Sequence, residues 1–595
     1  MDKTQIADIL DEVGTLLELK GENPFKSRAF HNAARVLAGV TEDLKTLVEN
    51  GEIRKIKGIG ESTAKIISDL VTTGKSPDHE SLRKFFPPGI FDMMKIQGMG
   101  PKKVAFLFKK MKISSIEDLE KAAKAGKLEK LEGFGKKTEE NILLGIEQIR
   151  KHSSKFHINV AETAAQSIFE VIKSHRGIIR AELAGSLRRR KETIGDIDIV
   201  VSVKKPARST SRVFDQQYGG KDVKEIMKLF TSHKSVERIT GEGETKASVV
   251  LNVGINCDLR VVDDSEFPFA LNYFTGSKEH NVHIRSLARE NGWTLNEYGF
   301  AVIDSGEKGR KSKKVVVCKT EEDIYKAIGL DYVEPELRED LGEIEAAQSG
   351  KLPKLVTYSD IRGTFHCHTN YSDGHNALSE MAAGAQKLGW EYLGIADHSK
   401  VAVYANGLSE ERVKKQHKEI DTLNAKFNNF RLFKGSEVDI LTNGDLDFSD
   451  KVLASFDYVV ASVHSNFKLN EVDMTKRIMK ALKNKHVTML GHLTGRLLLE
   501  REGYPLNQTE IINAAADLGK IIEINAHPMR LDLDWRMVKY AISKGVMIAI
   551  NPDSHVVSGL TDVRYGVGIA RKGWCEKKDI LNTRTVKQIA DYLKK

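Results

Sequence analysis

Two sets of residues in this chain have the types and spacing needed to bind metal ions. In GSLRRRKETIGDIDIV, Asp196 and Asp198 stand two apart in an alternating run, so both carboxylates project from one face of a strand while Ile197 and Ile199 take the other. Like charges held this close repel, and divalent cations remove that cost. Asp258 in INCDLRVV is a third candidate, on a strand able to lie beside the first. A D-x-D pair alone would equally suit an edge strand facing solvent. The Gly185-Ser186 turn and the Arg188, Arg189, Arg190 cluster just upstream add phosphate-holding groups and favour metal and phosphate chemistry.

The second set is spread over the last 230 or so residues, where His366 and His368 (FHCH), Asp373 (YSDG), Asp397 and His398 (LGIADH), Glu437 (FKGSEVDIL), His464 (YVVASVH), His492 (VTMLGH), and Asp553 and His555 (AINPDSH) recur. Most of them close a strand-like run, and helical periods such as ALSEMAAGAQKLG and MTKRIMKALKN fall between the runs. Strand-helix alternation predicts a parallel barrel with its chemistry at the carboxyl ends of the strands. A lone His464 would read as a core histidine; imidazoles and carboxylates at matched strand ends read as hydrolytic metal chemistry. Alternation turns Cys367 away from His366 and His368, and Asp397 is expected to orient its neighbour His398. His375, His417 and His486 are expected to be structural or surface residues, with His527 close enough to the rim to line the pocket.

Upstream of both sets, three near-repeats, IKGIGESTAKII, IQGMGPKKV and LEGFGKKTEENI, begin at Ile56, Ile96 and Leu131. Each pairs an apolar-x-Gly-apolar-Gly turn with a new helix whose amino end attracts a phosphate. A plain helical bundle is the bland reading. Three copies with Lys102, Lys103, Lys136 and Lys137 favour sequence-independent contact with a nucleic-acid backbone. The chain has 595 residues, formal net charge +9, 29% charged and 40% hydrophobic residues, which predicts several globular domains and only hints at an anionic partner. The four cysteines lack CxxC spacing, and no run of about 18 apolar residues occurs. A reducing, cytoplasmic setting with no membrane contact is expected.

In order and spacing, G-S-x-R-R, G-D-I-D, D-x-R and NYFTGSKEHNVHIRSLARENGWTLNEYG resemble the family X DNA polymerases over residues 1 to about 335. The resemblance implies two-metal nucleotidyl transfer with Mg2+ on Asp196, Asp198 and Asp258. It also implies a triphosphate held by Ser186 and Arg189 with help from the Gly185 turn and Gly195, a sugar pocket of Tyr273, Phe274 and Gly276, and Asn281 and Arg285 facing the minor-groove side of the nascent pair. The chain departs from that family's pattern at Lys278, where an acidic residue is usual, and at Ile66, where the lyase lysine of the family's amino-terminal domain would stand. With Lys65 about 100° away around the helix, no standard Schiff-base lyase is expected. Lys26 and Arg54 or Lys55 remain suited to a 5' phosphate.

The elements H-x-H, SDG, A-D-H, G-x-E-V, V-H-S, G-H and D-S-H resemble the PHP (polymerase and histidinol phosphatase) phosphoesterases. That implies about three ions, Mn2+ or Zn2+, held by His366, His368, Asp373, His398, Glu437, His464, His492, Asp553 and His555, and a 3'-5' exonuclease. Thr364 stands where the family often has Asp. The expected fold is multidomain: an all-α helix-hairpin-helix amino-terminal region (1–90 and 91–152), an α+β polymerase-beta-like palm (153–265) and thumb (266–334), a linker (335–358) and a distorted (β/α) barrel of PHP type (359–595). The polar stretch 206–222 reads as an insertion and GRKSKK at 309–314 as a basic hairpin tip. The expected protein is a monomer that fills short gaps in primed DNA from dNTPs and carries its own nuclease. Two alternatives stay open: a phosphoesterase whose front half only delivers DNA, and a DNA-binding scaffold.

Overall fold

The computed structural model describes residues 3–594 except 39–43, 88, 95, 97–98, 130, 132–133, 153–154, 204–221 and 303–315. The 206–221 part of the polar insertion and the GRKSKK run therefore lie outside the described residues. Two compact units divide the chain, 1–154 and 155–595.

The first unit is helical, and its three repeats share one local geometry. In each, the backbone N–H of the second apolar residue donates to the carbonyl of the first: Ile59 to Ile56 at 3.0 Å, Met99 to Ile96 at 2.9 Å and Phe134 to Leu131 at 3.0 Å. The following glycine then accepts the first helical bond, Ala64 to Gly60, Val104 to Gly100 and Glu139 to Gly135. The helices Glu61–Thr73, Pro101–Met111 and Lys136–His152 start there, with Lys102 and Lys136 exposed near their amino ends. Burial of Ile59, Met99 and Phe134 fastens each turn to the core. Ile66 is buried, whereas Lys65 is exposed and paired with Asp78 at 2.7 Å, as the one-residue offset predicts.

The second unit contains two sheets that position chemistry. A five-stranded sheet runs Ile178–Leu183, Asp196–Val203, Asn256–Asp263, Lys246–Leu251, Val236–Glu242. Its central pair is parallel with Asp198 opposite Asp258, so the two strands' carboxylates share a face while Ile197, Ile199, Cys257 and Leu259 fill the core beneath. The helices Phe267–Thr275 and Lys278–Glu290 follow.

The last 230 or so residues form seven parallel strands in sequential order, from Gly363–Thr364 to Ile548–Asn551. The first and last meet where Thr364 Oγ1 donates to the Ile550 carbonyl at 3.1 Å and His368 N to that of Ser554 at 2.8 Å. Phe365, Tyr392, Phe433 and Tyr458 plug the barrel floor, and the Tyr458 hydroxyl donates to the Ile395 carbonyl. Only glycine fits at 435, because a Cβ there would stand 2.2 Å from the Tyr458 ring. The 335–358 segment, expected to be the linker, is packed: it carries the Glu343–Gln348 helix and a fully buried Arg338 whose guanidinium meets the Val333 carbonyl at 2.9 Å and Glu321 at 2.7 Å. Two of its acids, Glu336 and Glu339, pair with Arg571 and with Arg189 and Lys572, so acids that read as solvent-facing in the sequence serve as partners of cations.

Candidate active sites

The first site lies at the carboxylate end of the central parallel pair. Three acids crowd it, and Lys246 reaches Asp258 at 2.8 Å. Burial, then the neighbouring Asp196 and Asp258 carboxylates, push Asp198 up to about 7; burial and Asp258 also raise Asp196. The turn Gly185–Arg188 closes over this strand. Gly185 has φ +64°, and a Cβ there would come 2.3 Å from an Asp198 oxygen, so glycine lets the phosphate-type turn approach the carboxylates.

Arg189 already has partners: its Nε donates to Glu339 at 3.1 Å and Nη1 donates to the Thr275 carbonyl. Glu339 in turn takes Nζ of Lys572, a fully buried lysine from a barrel helix that also reaches the Arg189 and Glu336 carbonyls at 3.2 Å each. Burial opposes ionisation of Glu339, but Lys572, Arg189 and Lys191 outweigh it and hold the carboxyl down at about 2. Arg188 is engaged by Thr275 Oγ1 and Glu321, each at 2.6 Å. The residues expected to meet sugar and base sit on the two helices beyond. Tyr273 is partly exposed against Phe274, Gly276 ends the first helix with a Cβ position 3.0 Å from Arg189, and Asn281 and Arg285 stand one turn apart. Asn281 Nδ2 donates to the Tyr273 carbonyl at 2.7 Å, tying the two helices together. Ser186 lies in the Gly185 turn, and Gly195 is exposed just before Asp196.

The second site sits at the barrel mouth, where all nine expected ligands converge. Three overlapping groups have ligand atoms within 4.8 Å of one another: His368, Asp373, His398, His555; His366, His368, Asp553; and His398, Glu437, His464. Glu437 is the hub. One of its oxygens is 3.3 Å from His366 Nε2 and 3.1 Å from His398 Nδ1, and the other is 3.1 Å from His464 and 2.9 Å from His492. Burial would raise this carboxyl, but His464, His366 and His398 hold it well below the ordinary range. The converse holds for imidazole: burial opposes charge on His464, yet Glu437 and Asp439 raise it to about 10. His368, buried and flanked by His555 and His398, falls to about 3. His492 and Asp553 adopt positive φ of 22° and 51°, bending the chain at two strand ends.

These residues fit divalent ions. His366 Nε2, both ring nitrogens of His368, His398 Nδ1 and His492 Nδ1 are buried without a hydrogen-bond partner, a state that costs free energy unless an ion is bound. Carboxylates behind the imidazoles set the tautomers. His366 Nδ1 contacts Glu523 at 2.8 Å and His464 Nδ1 contacts Asp439 at 2.9 Å, which leaves both Nε2 atoms aimed at Glu437.

Glu523 and Asp439 were missed by sequence reading. The signal was there: IIEIN is an apolar strand with a charge at an inward position, and Glu523 is fully buried, also accepting from Asn525, Asn551 and the His492 amide. The role expected for Asp397 is different in the structure. It accepts from Thr369 N and Oγ1, from Ser372 N and Oγ and from Gln416, so it fixes the turn leading to Asp373 rather than His398. Cys367 is buried away from the site, His417 packs on Phe456, and the ring of His527 accepts from Met529 N.

A helix-hairpin-helix unit, a sheet with three convergent aspartates and a histidine-lined barrel on one chain define a DNA polymerase joined to a phosphoesterase. The comparisons agree. A helix-hairpin-helix domain matches residues 1–76, a SAM-like helix-hairpin-helix tandem 90–148, the DNA polymerase beta thumb 270–339 and the PHP domain 364–527. The DNA polymerase/3'-5' exonuclease PolX of Bacillus subtilis strain 168 is 38% identical over 597 residues, spanning 100% of both chains. A probable phosphatase of Thermoanaerobacter sp. strain X514 is 28% identical over 241 residues, 38% of this chain and 93% of its own. Rat DNA polymerase lambda is 30% identical over 175 residues, 26% of this chain and 28% of its own. The chain belongs to the PolX group of family X DNA polymerases that carry a PHP domain.

Proposed function

We propose that the protein is a DNA repair polymerase that fills short gaps and trims 3' ends with its PHP domain. The observation that supports this best is that one chain carries three aspartates on one parallel strand pair and, in a separate sheet, a histidine-carboxylate cluster with ligand atoms close enough to share ions. The relative of matching length is named for both activities.

In the sheet site, Mg2+ ions on Asp196, Asp198 and Asp258 would supply the charge that eases loss of the primer 3' proton and steadies the attacking and leaving oxygens. Ser186 and Arg189 hold the triphosphate, and a nucleotide has to compete with Glu339 for the Arg189 guanidinium. Tyr273, Phe274 and Gly276 enclose the sugar, while Asn281 and Arg285 read the minor-groove side.

In the barrel, Mn2+ or Zn2+ would act as Lewis acids on the scissile phosphodiester, because imidazole-rich sites favour these ions over Mg2+. His366, His368, Asp373, His398, Glu437, His464, His492, Asp553 and His555 hold the ions, with Glu523 and Asp439 orienting two of the rings. The hairpins grip the DNA backbone without regard to sequence, and the working form is a monomer.

Primer extension on gapped DNA tests the reading. With dNTPs and Mg2+ the primer lengthens to fill the gap; without dNTPs and with Mn2+ it shortens from its 3' end. Shortening with no extension under any condition would leave only the phosphoesterase, and neither change would leave a binding protein.

A further inference from the structure

The rim of the barrel carries a feature that metal binding does not use. Tyr404 is 73% exposed and its neighbour Val403 82% exposed, although the residues on either side, Ala402 and Ala405, are buried. The Tyr404 ring centroid lies 6.2 Å from that of His398 and 6.5 Å from that of His464, both in the metal-type groups. A large ring left open to water beside a catalytic pocket forgoes burial that a bound group could supply.

The segment holding this ring is firmly anchored. Val401 N donates to Asp447 at 2.8 Å, Leu408 N to the His398 carbonyl at 2.8 Å and Gly407 N to the Ala402 carbonyl at 3.0 Å. Arg412 donates to the carbonyls of Asn406 at 2.8 Å and Gly407 at 3.2 Å, and Asn406 Nδ2 donates to that of Ser372 at 3.2 Å. Gly407 lies so close to the Ser399 carbonyl that a Cβ would stand 1.9 Å from its oxygen. The loop therefore presents its aromatic ring with little ordering entropy left to lose.

We propose that Tyr404 is a nucleobase platform: its ring stacks on the base at the 3' end of a DNA strand while the adjacent histidine-carboxylate centre takes the phosphodiester. Every base has a π face, so this contact tolerates any sequence, as trimming of 3' ends requires. It also separates a nucleic-acid end from a small phosphate ester, which has nothing to place on the ring. Val403 extends the apolar surface at the same rim. The inference rests on the nuclease reading above.

The test uses the full-length protein and two single-stranded oligodeoxynucleotides, one ending in an ordinary nucleotide and one in an abasic tetrahydrofuran residue. The unsubstituted protein removes the base-bearing end with kcat/KM about tenfold or more above the abasic end. Tyr404→Ala loses that preference while its rate on the abasic end stays the same, and Tyr404→Phe keeps the preference. An unchanged ratio in Tyr404→Ala overturns the platform, and so does an equal loss on both ends, which marks a purely structural residue. If the unsubstituted protein degrades neither oligonucleotide, the nuclease reading itself falls and the platform with it.

Discussion

The two candidate centres attract cations by opposite constructions. In the sheet site, strand register brings Asp196, Asp198 and Asp258 together, and burial plus the neighbouring carboxylates make Asp196 and Asp198 hold their protons more tightly. In the barrel, acids and imidazoles alternate around Glu437 and compensate one another, so the acids lose protons easily and His464 and His555 hold theirs. The first site holds its acids together under electrostatic stress. The second is assembled beforehand and buried, as a resident metal centre needs.

The sharpest way to break this comparison is to show that the centres are not independent. Asp196→Ala or Asp258→Ala is expected to lower nucleotide addition by at least about a thousandfold while 3' degradation continues. His464→Ala or Asp553→Ala should do the reverse, and primer-extension gels with and without dNTPs read both. Loss of both activities in a folded single variant would contradict two separate centres.

A smaller effect is expected one layer out. Glu523→Ala or Asp439→Ala leaves the nine proposed ligands in place but frees His366 or His464 to turn. Bound metal or 3' degradation should fall about 10- to 100-fold with polymerisation unchanged. Metal content after dialysis measures this, and full occupancy at full activity would sink the orienting role.

The proton balance of the sheet site gives a third expectation. A free Asp has its pKa near about 3.9, and Asp198 sits at about 7, so between these values the folded protein holds a proton that the unfolded chain has lost. Stability contributed by this group therefore falls as pH rises through that window. Bound Mg2+ must displace the same proton, so apparent Mg2+ affinity should weaken by up to about tenfold per unit below about pH 7 and level off above it. Proton release on adding Mg2+ to weakly buffered protein checks this, and Asp198→Asn should abolish it. Release that is unchanged in that variant would place the proton elsewhere.

The smallest expected effect concerns the amino-terminal unit. Lys65 is exposed and paired with Asp78, and Ile66, at the position where the family resemblance would put an imine-forming lysine, is buried. Borohydride trapping on an abasic substrate should give little adduct at Lys65. Efficient trapping there would show that the register argument fails.

By itself, the sequence determined which candidate residues share a face or an end of each element. Strand alternation placed Asp196 and Asp198 on one face and Cys367 off the site, glycine spacing marked three hairpins, and strand-helix grammar set the barrel ligands at one rim. These are local properties, governed by the two-residue and 3.6-residue periods of a single element. Only the tertiary structure decided which distant groups touch. It put Asp198 opposite Asp258, set Glu523 and Asp439 behind two imidazoles, turned Asp397 to the loop before Asp373, and ran a barrel lysine through Glu339 to the polymerase arginine. A charged residue in an apolar strand looks the same in sequence whether it meets water, an imidazole or a lysine. Its partner is fixed by packing between elements up to hundreds of residues apart, and no single-element period carries that information.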